Sequence, residues 1–215
     1  MKDIIAGGAS GIAQIVVGYP LDTLKVLSQN KMKLDNINLK NLYRGVSYPL
    51  QSSIITNSVV FSINRRLKEK GYPVFFNGFL AGACVTPVVY FFDKAKVNTQ
   101  VGNNINTLLY KNAKGITATL ARETLAFGIY FYSYDLCKEK YLLPIPIAGA
   151  IAGVSNWSFT YPLDVIRNRQ IAMNITVKEA YKMGSLFRGL DYCLFRAVIV
   201  NSMAFYVYET VHNNI

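Results

Sequence analysis

Charged side chains make up only 16% of this 215-residue chain, which also has one histidine, one tryptophan and three cysteines. Soluble domains carry about a quarter charged residues, so a globule surrounded by water is excluded as the default. The single histidine, His212, leaves no Ser/His/Asp set. No metal-ligand constellation and no phosphate loop appears, so an enzyme is not expected and no cofactor is called for. Cys84, Cys137 and Cys193 are odd in number and lack CxxC or Cys/His spacing, which excludes a disulfide framework or zinc site and leaves them as packing residues. Acids are also scarce, 12 against 23 bases, for a net charge of +11. The bases form no arm or run, so nucleic acid is not expected as a partner. The excess suits anionic lipid headgroups or anionic solutes. Asp3 comes early and no small-residue cleavage site follows the first apolar run, so no cleavable leader is expected.

Hydrophobic residues, at 52%, are what the chain has in excess, and they recur with a period. Asp22, Asp93 and Asp164 are 71 residues apart, and so are Lys25, Lys96 and Arg167. The glycine pairs Gly7/Gly11, Gly78/Gly82 and Gly149/Gly153 keep the same spacing. Three independent features on one period mark a triplication, with repeats over about 1–71, 72–142 and 143–215. Each repeat opens with an apolar segment carrying GxxxG, a pattern that lets helix backbones approach closely. The acid/base pair follows, as YPLDTLK, YFFDKAK and YPLDVIR, and then a short polar loop. Next comes a step of aromatic, base and glycine: Tyr43-Arg44-Gly45 and Phe187-Arg188-Gly189, with Ala113-Lys114-Gly115 lacking the aromatic. A second apolar segment closes each repeat, near 47–64, 116–137 and 190–211.

Six segments of about 20 residues suffice to cross a bilayer as helices, and helix is the form that satisfies its own backbone there. The expected fold is an all-α membrane protein, six transmembrane helices in three pseudo-symmetric repeats around a central cavity. The polar loops hold somewhat more lysine and arginine than the opposite ends. That bias places the loops on the positive side and both termini on the other.

The pattern P-x-[DE]-x-x-[KR] followed by aromatic-[KR]-G, three times over, resembles the mitochondrial carrier family across essentially the whole chain. Repeat two departs from it, with Phe91 in the proline position. The resemblance implies that proline kinks each odd-numbered helix and that the acid of one repeat meets the base of the next, as Asp22–Lys96, Asp93–Arg167 and Asp164–Lys25. These pairs would form a gate on the matrix side, braced by Gln29 and Gln100, with Ile171 in the third brace position. The competing reading is a set of local i,i+3 surface pairs worth a few tenths of a kcal/mol. An ionisable residue deep in a span costs about 2.5–3.5 kcal/mol, and a pair at 4 Å gains about 4 kcal/mol at an effective dielectric of 20. The balance is small, so bound substrate can tip it.

A second gate, on the cytoplasmic side, is implied by Phe61-Ser62-x-x-Arg65, Tyr134-Asp135-x-x-Lys138 and Tyr208-Glu209-x-x-His212. Family pairing gives Asp135–His212 and Glu209–Arg65 and leaves Lys138 without a partner, so this gate is expected to open easily. The loops are short for the family. Only Thr176 to Met183 is long enough for much of the usual loop helix. The aromatic-base-glycine steps remain as cardiolipin sites.

The family places substrate contacts seven residues past the step glycine, which gives Ser52, Arg122 and Arg196, with Glu123 beside Arg122. The charges stand in apolar surroundings, where ionisable residues mark function. Two guanidinium forks suit a carboxylate or phosphate, and Glu123 suits an amine or quaternary ammonium. A contact confined to Arg122 and Glu123 is disfavoured because adjacent helix positions do not face each other. Asn156 and Trp157 join the expected site, Trp157 as a cation-stacking surface or as packing. The arginine–acid pair resembles the amino-acid and carnitine branch. The strong basic charge keeps a (deoxy)nucleotide carrier as the alternative, and the richness in Asn, Ile, Lys and Tyr fits an AT-rich genome. A non-transporting membrane scaffold ranks below both. The resemblance implies an antiporter acting as a monomer in the mitochondrial inner membrane, multi-pass, with both termini on the intermembrane-space side.

Overall fold

A computed structural model describes residues 2–32, 38–102, 113–196, 199–200, 203, 207 and 210; of 2–11, 39, 54, 57, 61, 145 and 146 only the backbone is described. Every regular element among the described residues is helical. The elements are α1 (Lys2–Gln29), the short α2 (Leu39–Leu42), α3 (Ser47–Glu69), α4 (Val74–Val101), α5 (Ile116–Asp135), α6 (Ile145–Met173) and α7 (Val177–Lys182). A π turn, Leu136–Lys140, closes α5, and residues 190–196 and 199–200 are again helical.

Of these, α4 is long and apolar enough to cross a bilayer; its 28 residues reach about 42 Å at 1.5 Å each. Charged side chains stand within the long helices: Asp22 and Lys25 in α1, Asp93 and Lys96 in α4, Arg122 and Glu123 in α5, and Asp164, Arg167 and Arg169 in α6. The most central of them point inward. Arg169 and Gln29 are fully buried, whereas Phe159 is 71% and Phe195 65% exposed. Polar groups inside and apolar groups outside is the arrangement of a protein whose outer face meets lipid.

Packing runs α3 on α4, α4 on α5, and α5 on α6. Val60, Val85, Val89 and Phe131 form the apolar core of the first three. The GxxxG of repeat two works through backbone contact: a Cβ on Gly78 would lie 2.3 Å from the Phe127 carbonyl oxygen, and one on Gly82 2.3 Å from that of Glu123. Around Gly149 and Gly153 the nearest 4 Å holds no described atom. Counted from the step glycines, their counterparts of Phe127 and Glu123 are Asn201 and Ala197, outside the described residues. Prolines stand inside α1 at Pro20 and inside α6 at Pro162. In α4 the proline is Pro87, one turn before Phe91, so repeat two keeps a helix-weakening residue in a different register.

The loop helices are as uneven as the loop lengths. Repeat one has the four residues of α2. In repeat three, α7 opens with a capping box, in which Thr176 accepts from the Glu179 amide and the Glu179 carboxylate accepts from the Thr176 amide. Both orphan donors at that end are thereby satisfied.

Candidate functional site

The loop-side ends of α1, α4 and α6 converge, with Val26, Val97 and Ile171 packed together. Their acids and bases meet beside this cluster. Lys96 Nζ lies 3.3 Å from Asp22, Arg167 Nη1 2.7 Å from Asp93, and Lys25 Nζ 2.7 Å from Asp164. All three contacts join different repeats. The local alternative occurs once, since Arg167 Nη2 also sits 2.9 Å from Asp164 on its own helix. The repeats carry the same motif, yet their burial differs. The Asp164 side chain is 1% exposed, against 20% for Asp22 and 23% for Asp93.

Gln29 donates to Asp164 at 3.2 Å and to the Tyr161 hydroxyl at 3.3 Å, so it lies over the Lys25–Asp164 pair. Gln100 does not do the same for Asp22: its amide donates to Thr23 Oγ1 at 3.0 Å. A threonine hydroxyl, one residue past the acid, intercepts it. Asn168 was not singled out in the sequence, yet it donates to Gln29 at 2.5 Å and to Asp164 at 3.4 Å. Its signal was a buried polar residue one helical turn past Asp164.

Arg122, Glu123 and Arg196 join this same cluster. Arg196 Nε is 2.8 Å from Asp22, and Arg122 Nε is 4.0 Å from Asp164. Arg122 Nη1 hydrogen-bonds Glu123 directly, and Arg167 Nη1 reaches the same carboxylate at 3.4 Å. The expectation that Arg122 and Glu123 turn away from each other is therefore corrected. Neighbouring helix positions diverge at Cβ, but a guanidinium on a long stem spans the gap. Glu123, 2% exposed, is tied into the ion network from two sides.

Together these groups line a cavity of about 350 Å³ that also takes in Ser52, Ser53, Thr56, Phe127, Trp157 and Asn168. Its lining holds five bases (Lys25, Lys96, Arg122, Arg167, Arg196) against four acids (Asp22, Asp93, Glu123, Asp164). Low-dielectric walls strengthen that one-charge excess toward an anionic group. Trp157 is engaged by the protein's own cations, with Lys25 Nζ 4.3 Å and the Arg122 guanidinium 5.4 Å from its ring. Asn156 instead lines a smaller neighbouring cavity of about 280 Å³, with Val60, Tyr130 and Phe131, and its Oδ1 accepts from Thr160. Among the described residues no group of side chains is arranged to hold a metal ion.

The opposite end holds contacts that the motifs did not mark. Asp135 is held at 2.9 Å by Lys68, which also bonds Glu139 at 3.1 Å. Lys68 stands one turn past Arg65 on α3, so its stem reaches α5. The Asp135 and Glu139 carboxylates raise the Lys68 pKa. Arg65 pairs with Glu69 on its own helix at 3.0 Å, both largely exposed. Lys138 is not idle, since its Nζ lies 5.9 Å from the Tyr134 ring. Glu209 and His212 lie outside the described residues.

Comparison with known proteins gives the same direction. The family model for "Mitochondrial carrier protein" matches residues 141–215. The chain is 27% identical to the mitochondrial arginine transporter BAC2 of Arabidopsis thaliana, over 97% of this chain and 89% of that protein. It is 28% identical to the mitochondrial basic amino acids transporter of Rattus norvegicus, over 94% of this chain and 86% of that protein. It is 24% identical to the mitochondrial carnitine/acylcarnitine carrier protein of Macaca fascicularis, over 97% and 92%. The alignment with the arginine transporter runs over 266 positions, more than this chain has residues, so stretches of that relative have no counterpart here, in keeping with the short loops. Motif, helical architecture and relatives agree in direction: over most of its length the chain is similar to mitochondrial carriers, which are transporters.

Proposed function

We propose that the protein is a six-span carrier of three repeats that moves a basic or zwitterionic amino acid through its central cavity by alternating access. One observation carries the reading. Arg122, Glu123 and Arg196, from the second halves of repeats two and three, converge on the ion pairs that join the three first helices, and all line one cavity. The arginines bind the solute carboxylate, as guanidinium forks match that group. The hydroxyl-lined side, at Ser52, Ser53 and Thr56, receives the rest of the solute. Asp93 is the least buried of the three ring acids, and among the described residues its one ion-pair partner is Arg167, so a cationic solute end is best accommodated there and at Glu123.

The three inter-repeat pairs act as the matrix-side gate, closed in this structure, with Gln29 as brace. A solute that competes for Arg122, Arg167 or Asp93 weakens that ring, which is how binding drives the opening. The Lys68–Asp135 contact serves at the cytoplasmic end. In this reading both termini face the intermembrane space, the inner mitochondrial membrane is the location, cardiolipin sits at the aromatic-base-glycine steps, and the monomer is the working unit. The relatives reported above are named for amino acids and carnitine, which supports this substrate class over the nucleotide alternative.

The test is uptake into liposomes by purified protein of labelled arginine, lysine, carnitine and ATP, each with internal counter-solute. Arginine or lysine exchange that is lost in Arg122→Ala is the expected result. Exchange of ATP alone would sink the amino-acid reading. No uptake of any of the four would move the protein to the scaffold class.

A further inference from the structure

Each repeat places a tyrosine three residues before its ring acid: Tyr19, Tyr90 and Tyr161. The three hydroxyls do the same thing. Tyr19 donates to the Arg44 carbonyl at 2.7 Å, Tyr90 to the Lys114 carbonyl at 3.0 Å, and Tyr161 to the Arg188 carbonyl at 3.2 Å. In each case the acceptor belongs to the base of the aromatic-base-glycine step, where the chain enters the repeat's second helix. The rest of the step fits the same purpose. Tyr43 stacks on Tyr19 at 6.3 Å between centroids, and Phe187 on Tyr161 at 6.3 Å. The step glycines turn the backbone with φ of 82°, 97° and 85°, a region other residues adopt at a cost. A Cβ on Gly45 would lie 3.2 Å from the Tyr19 hydroxyl, and one on Gly189 3.3 Å from that of Tyr161. Base carbonyl, aromatic and glycine are thus all turned to a tyrosine that lies outside the step itself.

The tyrosines of repeats two and three also touch the adjoining repeat through the residue seven past an acid. Gln29 donates to Tyr161 at 3.3 Å and Ile171 packs with Tyr90, while Gln100 donates to Thr23, one turn past Tyr19 on the same helix. The contacts run around the ring in one sense.

We propose that Tyr19, Tyr90 and Tyr161 are positioning residues of the transport cycle, each fastening the entry of its repeat's second helix to the first helix just ahead of the ring acid. The two helix ends of a repeat then swing as one arm when the ion pairs part, and the acid cannot move without its second helix. Repeat two, with Ala113 in place of the aromatic, has the hydrogen bond without a stack from the step itself. The assignment rests on reading the ion pairs as a gate.

The chain has one tryptophan, and Trp157 lies against Lys25 in that ring, so its emission reports whether the ring is closed. The experiment measures acrylamide quenching of Trp157 in lipid nanodiscs for wild type, Tyr19→Phe, Tyr90→Phe and Asp22→Asn, with circular dichroism and melting alongside. Neither tyrosine is a ring neighbour of Trp157, unlike Tyr161. The expected result is a quenching constant raised about twofold or more in Tyr19→Phe and Tyr90→Phe, by a shift toward the open state, with helicity and melting unchanged. Quenching raised by Asp22→Asn but unchanged in both tyrosine variants would overturn the latch and leave the gate standing. Quenching unchanged in all three would overturn both. Loss of melting temperature in the tyrosine variants with wild-type quenching would reduce the tyrosines to a structural role and equally overturn the proposal.

Discussion

Neutralising the three ring acids one at a time tests the ion ring most sharply, because sequence and structure rank the variants differently. By motif, Asp22→Asn, Asp93→Asn and Asp164→Asn are equivalent. In the structure Asp164 is 1% exposed and faces Lys25 at 2.7 Å, Arg167 at 2.9 Å and Arg122 at 4.0 Å. Replacing it leaves Lys25 without its carboxylate in a dry site and takes one of the carboxylates from Arg167 and Arg122. Breaking a buried pair costs about 3–5 kcal/mol. Asp22 has two partners, Lys96 at 3.3 Å and Arg196 at 2.8 Å, and a side chain 20% exposed. Asp93 has Arg167 at 2.7 Å and a side chain 23% exposed. Losing one charge-assisted bond costs about 1.5–3 kcal/mol, here toward the lower end because water reaches the group.

The gap between Asp164→Asn and Asp93→Asn is thus about 2 kcal/mol, or about 30-fold in a closed-to-open ratio. At about 2–4 °C per kcal/mol for a chain of this size, their melting temperatures should lie about 4–8 °C apart. Thermal melts in nanodiscs measure the first quantity, and Trp157 quenching follows the second. The order Asp164, then Asp22, then Asp93 is expected in both. Equal effects at the three positions, or the largest effect at Asp93, would refute the ranking by burial and partner number.

Three further outcomes follow from single contacts. Arg169 is fully buried and donates to the carbonyls of Gln29, Ala180, Gly184 and Ser185, so Arg169→Met should lower stability by about 3 kcal/mol or more; Arg169→Lys should rescue little of it, because an ammonium cannot serve that fork. Gly82→Ala sets a methyl 2.3 Å from the Glu123 carbonyl oxygen; it should force α4 and α5 apart at about 1–3 kcal/mol, read as a lower melting temperature. The carboxyl of Glu179 is held below its ordinary pKa by the Thr176 amide, with its hydroxyl assisting. A depressed acid stabilises above its unfolded pKa and loses that contribution as pH falls through the folded value, so α7 should become more sensitive to acid protease below about pH 4, whereas Glu179→Gln, whose amide oxygen still accepts from the Thr176 amide, should lose that pH dependence.

The period of 71 residues and the charges it repeats in register were legible in the residues themselves. The inter-repeat pairing of Asp22, Asp93 and Asp164 and the grouping of Arg122, Glu123 and Arg196 came through the resemblance to a known family. The sequence also marked Gln29, whose amide the structure does set over an ion pair.

Other features were decided only by tertiary structure. Gln100 carries the same motif position as Gln29, but the Thr23 hydroxyl takes its amide, and no spacing rule sees a hydroxyl on another repeat. Asp135 meets Lys68, a contact no motif marked, because a lysine stem one turn past Arg65 reaches across to α5. Asn168 and Arg169 gained their roles only when α6 was laid against Gln29. The unequal burial of three acids with one motif has the same origin. A repeat fixes which residue types recur, whereas exposure and partner number depend on the side chains that neighbouring repeats present, and those diverged.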